Sequence, residues 1–248
     1  MRALGELAMQ PAGRRVLGFA PDGDGHPVIT LPGFLGGDGS TALIRRYLGE
    51  KNYDPYPWRL GRNNGPQTTG DGGALLDEQI TKVFERTGQR VSLVGWSLGG
   101  VMARNAARRI PEKIRKVITL GSPFEAGENS SSISRVFRYV SGHDPKSDAF
   151  QEILDYNRPA PPLSVPSTAI FSKTDGVVHW RTCVERPAPN TDNIEVYASH
   201  VGLGLNPVVY FLLAERLSIP DGEWTPFDRK AQTWRTLTFP SSGHSYGY

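Results

Sequence analysis

The sequence predicts an α/β protein: a doubly wound, mostly parallel sheet with helices on both faces. Three observations carry that expectation. Short apolar runs, most of them rich in β-branched residues, recur along the chain, as strands covered on both sides require. Stretches with apolar residues at helical spacing separate them, giving a strand–helix alternation. With 248 residues, 38% of them hydrophobic, the chain can bury one substantial core, so a single domain over 1–248 is expected.

The strands are expected at Val28–Leu31, Val91–Val94, Val117–Leu120, Thr168–Phe171 and Ile194–Tyr197, with Tyr56–Leu60 as a weaker sixth. Ser40–Leu48 forms the first helical pattern. Ala74–Arg86 forms the second, with Leu75, Leu76, Ile80, Val83 and Phe84 at helical spacing and Gly88 as its stop. Leu98–Ile110 is the third, ended by Pro111, and Asn206–Leu217 the last, with Pro207 suited to a first turn.

Two segments break the alternation. Residues 123–166 separate two strands by far more than an ordinary connection; they hold a helical pattern around Ser147–Tyr156 and a proline-rich exit. A cap or lid insertion is expected there, with a decorated loop as the alternative. From Ser218 to Tyr248 the chain reads as an irregular tail lying on the surface or disordered.

Composition narrows the function. A net charge of +3 lacks the weight of a nucleic-acid footprint, and the basic stretch Arg104–Arg109 fits the solvated face of a helix. Cys183 is the only cysteine, which excludes an internal disulfide and a multi-cysteine metal site. The first residues, MRALGELAMQPAGRR, lack the apolar core of a secretion signal, and no run reaches the length of a membrane span. These readings lead to the expectation of a soluble cytoplasmic protein with no nucleic-acid partner and no stable membrane insertion; oligomeric state stays open.

The chemistry is concentrated in Val91-Ser92-Leu93-Val94-Gly95-Trp96-Ser97-Leu98-Gly99-Gly100. Alone, G-x-S-x-G is a weak pattern. Its setting directly after a buried strand and before a helix is that of a nucleophile elbow. Such a turn forces the serine into a strained conformation and brings strand and helix together, with room only for small residues at Gly95 and Gly99. It also exposes the Ser97 hydroxyl beside a helix N-terminus, where the Leu98 N–H faces developing negative charge.

On these residues the chain resembles the α/β-hydrolase superfamily over about 28–217, most closely its bacterial lipase and esterase branch. It is more loosely similar to the lecithin–cholesterol acyltransferase and GPI inositol-deacylase relatives. The resemblance implies a nucleophile, acid, histidine order. Asp175 follows the strand Thr168–Phe171, and His200 follows the last strand and precedes the last helix. Each has a plainer alternative: Asp175-Gly176 as an ordinary turn, and His200 as a surface histidine. Asp144, Asp148, Asp155 and Asp192 are the reserve acids; His26, His143, His179 and His244 are the competing histidines.

The resemblance also implies an oxyanion hole made by backbone N–H groups. Leu98 supplies one. Phe34 supplies the other, from the loop Leu31-Pro32-Gly33-Phe34, where Pro32 stands in place of the family's usual histidine and implies different support behind the loop. Trp96, Phe124 and Trp180 are candidates for a substrate wall, with plain core as the alternative for each. Arg59 and Arg62 belong to the loop Trp58-Arg59-Leu60-Gly61-Arg62-Asn63-Asn64-Gly65-Pro66 and are the candidates for meeting an acidic substrate group, with solvated loop positions as the plainer reading. The expected activity is hydrolysis of small or medium-chain carboxylic esters by a Ser97–His200–Asp175 triad, through an acyl-enzyme and without metal or other cofactor. The alternatives are an acyltransferase, a lipase or polyester depolymerase, and a non-catalytic ligand-binding relative.

Overall fold

Residues 17–125, 156 and 159–244 are described by a computed structural model of the chain. All of the expected helix at Ser147–Tyr156 except its last residue, and most of the expected cap, lie outside the described residues, as do His143, Asp144, Asp148 and Asp155.

Eleven elements frame the site, in chain order β1 (Pro27–Leu31), α1 (Ala42–Glu50), β2 (Asp54–Pro57), α2 (Ala74–Thr87), β3 (Val91–Trp96), α3 (Leu98–Arg109), β4 (Ile114–Leu120), β5 (Ser167–Phe171), β6 (Thr191–Glu195), α4 (Pro207–Ser218) and α5 (Thr233–Thr238). The six strands form one sheet in the order β2-β1-β3-β4-β5-β6, and every pairing is parallel. The chain runs outward from β1 to β2, then returns past β1 to begin β3. The direction of winding therefore reverses between β1 and β3, and the crevice beyond the C-terminal ends of such a pair is where open α/β sheets bind ligands.

Alternate residues of each strand enter opposite cores. On one face Ile29, Leu31, Leu93, Val117 and Ala169 pack against Leu76, Ile80 and Val83 of α2 and Leu98, Val101, Met102 and Ala106 of α3. On the other, Val28, Val94, Ile118, Leu120 and Ile170 meet Ile44 and Leu48 of α1 and Val209, Leu212, Leu213 and Leu217 of α4. This is why the strands read as continuous apolar runs rather than alternating ones.

The edge strands depart most from expectation. β2 occupies Asp54–Pro57 rather than Tyr56–Leu60. Its prolines are tolerated because the Asp54 N–H donates to the His26 carbonyl (3.1 Å), so the alternating positions 55 and 57, which lack an N–H, face away from β1. β6 begins at Thr191, earlier than expected. Its polar residues are buried with partners: Asp192 accepts from the Phe227 and Asn193 N–H groups (2.5 and 2.8 Å), and the Asn193 amide donates to the Glu185 carbonyl (3.0 Å).

The tail also differs from an irregular surface segment. It holds α5, and Phe227 and Phe239 are buried in the second core. Ser242 bridges Ile194 antiparallel, with the Glu195 N–H donating to the Ser241 carbonyl (3.0 Å) and the Gly243 N–H to the Asn193 carbonyl (2.9 Å). The segment thus straps the outer edge of β6. Sequence patterning missed it because two isolated phenylalanines among polar residues have no periodicity.

Candidate active site

β3 turns into α3 at Ser97 with φ 53° and ψ −125°, a region that costs a non-glycine residue roughly 1–3 kcal/mol. The turn is steric in origin. A Cβ on Gly95 would lie 2.3 Å from the Gly100 Cα, and one on Gly99 would lie 2.5 Å from the Leu31 and Pro32 carbonyl oxygens. Gly100 is equally constrained, since its Cβ would meet the Ser122 Oγ at 2.0 Å. The motif reading did not include that third glycine, though the Gly99-Gly100 pair was its visible signal. The Ser97 N–H donates to the Leu120 carbonyl at 2.9 Å, which ties the turn to the end of β4.

The acid and histidine come together as their order implied. Oδ2 of Asp175 lies 2.7 Å from Nδ1 of His200, and both side chains are almost wholly buried. Oδ1 accepts from the Val177 and Val178 N–H groups (2.9 and 2.7 Å), which fixes the carboxylate. A carboxylate only accepts, so Nδ1 of His200 carries the proton and Nε2 is left as the acceptor. Gly121, one residue beyond β4, leaves space for the pair: a Cβ there would fall 3.1 Å from Asp175 Oδ2 and 3.4 Å from His200 Nδ1. Nothing in the sequence marked that position.

The serine is linked to the same edge on two sides. The Trp96 indole N–H donates to the His200 carbonyl at 3.1 Å, and its ring rests on Gly204. On the other side, a Cβ on Gly33 would lie 3.2 Å from the Ser97 Cβ, so the loop carrying Phe34 runs directly beside the serine. Leu98, whose N–H was assigned to the oxyanion hole, is the first residue of α3.

The three aromatic candidates fall in different places. Trp96 braces the histidine loop through the indole bond. Phe124 is buried in the first core beneath the Arg104 guanidinium, 3.8 Å from its ring centre, which is the plain-core alternative. Trp180 stacks on Phe171 at 5.8 Å, with Lys173 and Arg181 over its ring. Arg62 donates from Nε to the Leu35 carbonyl at 3.2 Å, and Arg59 is an exposed loop residue with φ 60°.

The rival residues are placed elsewhere. Asp192 is held within β6 and His244 within the tail, where it contacts Thr191 and Asn193. Burial pushes the Cys183 thiol well up, which makes it a poor nucleophile. His26 belongs to a second Asp–His–Ser array at the opposite edge of the sheet: Nδ1 is 2.5 Å from Asp24 Oδ1, and Nε2 is 2.8 Å from the Ser92 Oγ. His26 and Ser92 are wholly buried. Burial lowers the imidazole to about 4 despite the carboxylate. That edge also has a cavity of about 300 Å³. Its cations are already engaged, Arg90 with Asp221, Arg115 with Asp24 and Lys116 with the Ile219 carbonyl. It lies away from Ser97, Asp175 and His200, at the other end of the strands.

A six-stranded parallel sheet with a serine elbow, an Asp–His pair and a glycine loop at one crevice defines a class, and the family comparison agrees with it. Residues 11–248 match the model of the alpha/beta hydrolase family, and the chain belongs to that family. It is 37% identical over 51 residues to a pimeloyl-[acyl-carrier protein] methyl ester esterase of Aliivibrio fischeri, 21% of this chain and 20% of that protein. It is 29% identical over 131 residues to the serine hydrolase BPHL of Mus musculus, 49% of this chain and 44% of that one. These matches therefore span less than half the length of either relative. Among solved structures, Aspergillus fumigatus lipase B aligns with a TM-score of 0.57 at 18% identity, covering 86% of this chain and 56% of that chain. A Paleococcus ferrophilus monoacylglycerol lipase aligns at 0.56 and 15%, covering 81% and 96%. At these identities the likeness is one of fold.

Proposed function

We propose that the chain is a serine carboxylic-ester hydrolase acting on small or medium-chain esters. The observation that carries this reading is the buried His200–Asp175 pair, 2.7 Å apart, at the crevice where Ser97 is held with φ 53°. The local likeness to a methyl ester esterase supports ester chemistry.

In this mechanism Nε2 of His200 takes the Ser97 hydroxyl proton as Oγ attacks the ester carbonyl. Asp175 holds the imidazole in the required tautomer and stabilises the imidazolium. The backbone N–H groups of Phe34 and Leu98 receive the oxyanion, a contribution that for a single donor is worth about 10²–10³ in kcat. His200 gives the proton to the departing alcohol, leaving an acyl group on Ser97. It then removes a proton from the water that attacks this acyl-enzyme, and the acid is released as Ser97 recovers its proton. Trp96 and Trp180 are retained as proposed contacts for the acyl group, whereas Phe124 is assigned to the core.

The test is turnover of p-nitrophenyl esters from acetate to palmitate by wild type and Ser97→Ala. The expected result is a short or medium-chain optimum, with kcat reduced at least several hundredfold in the variant. Undiminished turnover by a clean Ser97→Ala preparation would overturn the mechanism. Preferential release of a transesterified product in the presence of an alcohol would assign acyl transfer instead of hydrolysis.

A further inference from the structure

The loop assigned to the oxyanion hole is held from outside by Asn63, through both its side chain and its backbone. Asn63 is wholly buried, and each of its polar groups is used. Its side-chain Nδ2 donates to the Pro32 carbonyl (2.8 Å), and Oδ1 accepts from the Gly65 N–H (3.2 Å). Its backbone carbonyl accepts from the Leu35 N–H (2.6 Å), and its own N–H donates to the Gly36 carbonyl (2.8 Å). The Pro32 carbonyl and the Leu35 N–H lie in the peptide units on either side of Gly33–Phe34. That central peptide carries the Phe34 N–H and runs beside Ser97.

The clamp is stiff on both of its sides. Leu35 sits at φ 59°, a left-handed conformation that a leucine keeps only where its surroundings impose it. The loop bearing Asn63 is fixed by the Trp58 indole N–H donating to the Gly61 carbonyl (3.0 Å) and by the Trp58 N–H donating to Asp38 Oδ1 (3.1 Å). With proline at position 32, no side-chain donor is available from the position where the family places histidine.

We propose that Asn63 is a positioning residue for ester hydrolysis: it brackets the Gly33–Phe34 peptide and aims the Phe34 N–H at the oxyanion. This inference rests on the ester-hydrolase reading and deepens it. A preorganised donor acts on the transition state more than on the bound substrate, so its misplacement lowers kcat rather than raising KM.

Asn63→Asp tests the role. The variant keeps the shape and the acceptor for Gly65 but sets a carboxylate oxygen, which cannot donate, against the Pro32 carbonyl. Wild type, Asn63→Asp and Ser97→Ala are compared on a p-nitrophenyl ester and its thionoester, whose sulfur is a poor acceptor for the N–H groups of the hole. The expected result is a fall of about 10- to 100-fold in kcat on the ester, KM within about twofold, and a much smaller fall on the thionoester. Equal falls on both substrates, or an unchanged kcat, would overturn the inference while Ser97→Ala inactivity left the hydrolase reading standing. Ester turnover that survives in Ser97→Ala would overturn both. Should Asn63→Asp not fold, Asn63→Ala removes the side-chain donor to the Pro32 carbonyl without burying a charge and is read the same way. A selective loss of about two- to fivefold on the ester is expected, and equal or absent losses would overturn the inference.

Discussion

Ser97 and Asp175 illustrate how backbone contacts fix single side chains in place. The serine is held in its turn by the spaces left at Gly95, Gly99 and Gly100, each of which would place a Cβ within 2.5 Å of another atom. The carboxylate is held by two backbone N–H donors and presents its remaining oxygen to His200. Under the proposed mechanism Asp175→Asn preserves the size of the side chain but reverses the hydrogen bond, favouring the wrong imidazole tautomer. A loss of about 10⁴ in kcat is expected, with little change in KM. Steady-state kinetics on the favoured p-nitrophenyl ester checks this, and a loss under tenfold would remove Asp175 from the role. At this scale the placement of the candidate residues was most legible where residue type and spacing coincide with a strand end, as at Ser97, Asp175 and His200. It was least legible where a residue matters by what it leaves empty, as Gly121 does, or contacts the site's loop from a separate one, as Asn63 does. Neither relation produces a periodic or short-range pattern.

The central elements were readable because burial on both faces makes their apolar runs continuous; β3, β4 and β5 fall within a few residues of expectation. The edges were not. β2 contains two prolines that argue against a strand until its outward-facing positions are known. The first half of β6, Thr-Asp-Asn, is polar and depends on partners contributed by the tail and by Glu185. The tail itself contributes Phe239, fully buried against Phe211 and Phe227. Phe239→Ala should cost about 3–5 kcal/mol, a fall of roughly 6–20 °C in thermal midpoint for a chain of this size. Differential scanning calorimetry measures it, and a shift below about 2 °C would mean that the tail is dispensable to the second core.

For the whole molecule, the two Asp–His arrays at opposite ends of the sheet have different consequences. At the crevice, His200 pairs with Asp175 beside the serine turn; at the far end, His26 is sealed among Asp24, Ser92, Arg115 and Lys116. Burial lowers His26 to about 4. The same burial would raise Asp24, but hydrogen bonds from His26 and Arg115 hold it well below the usual carboxylate range. Unfolding returns His26 to its ordinary value of roughly 6.5. Between these two values the unfolded chain binds a proton that the folded one refuses, so stability is lost as pH falls from about 6.5 to about 4. The loss attributable to His26 is on the order of 3 kcal/mol. Urea unfolding midpoints taken from pH 7.5 to pH 4.5 should decline through that window, and a flat profile would contradict the assignment.

The two borders of the sheet also share a property. Positions 55 and 57 of β2 have no hydrogen to offer, and the outer side of β6 is already occupied by residues 241–243. A border without donors at alternate positions and a border already paired both resist the addition of another chain's strand. Among the described residues, both flanks are thus blunted by different means, one by missing donors and one by its own chain, which lowers the tendency to polymerise when crowded.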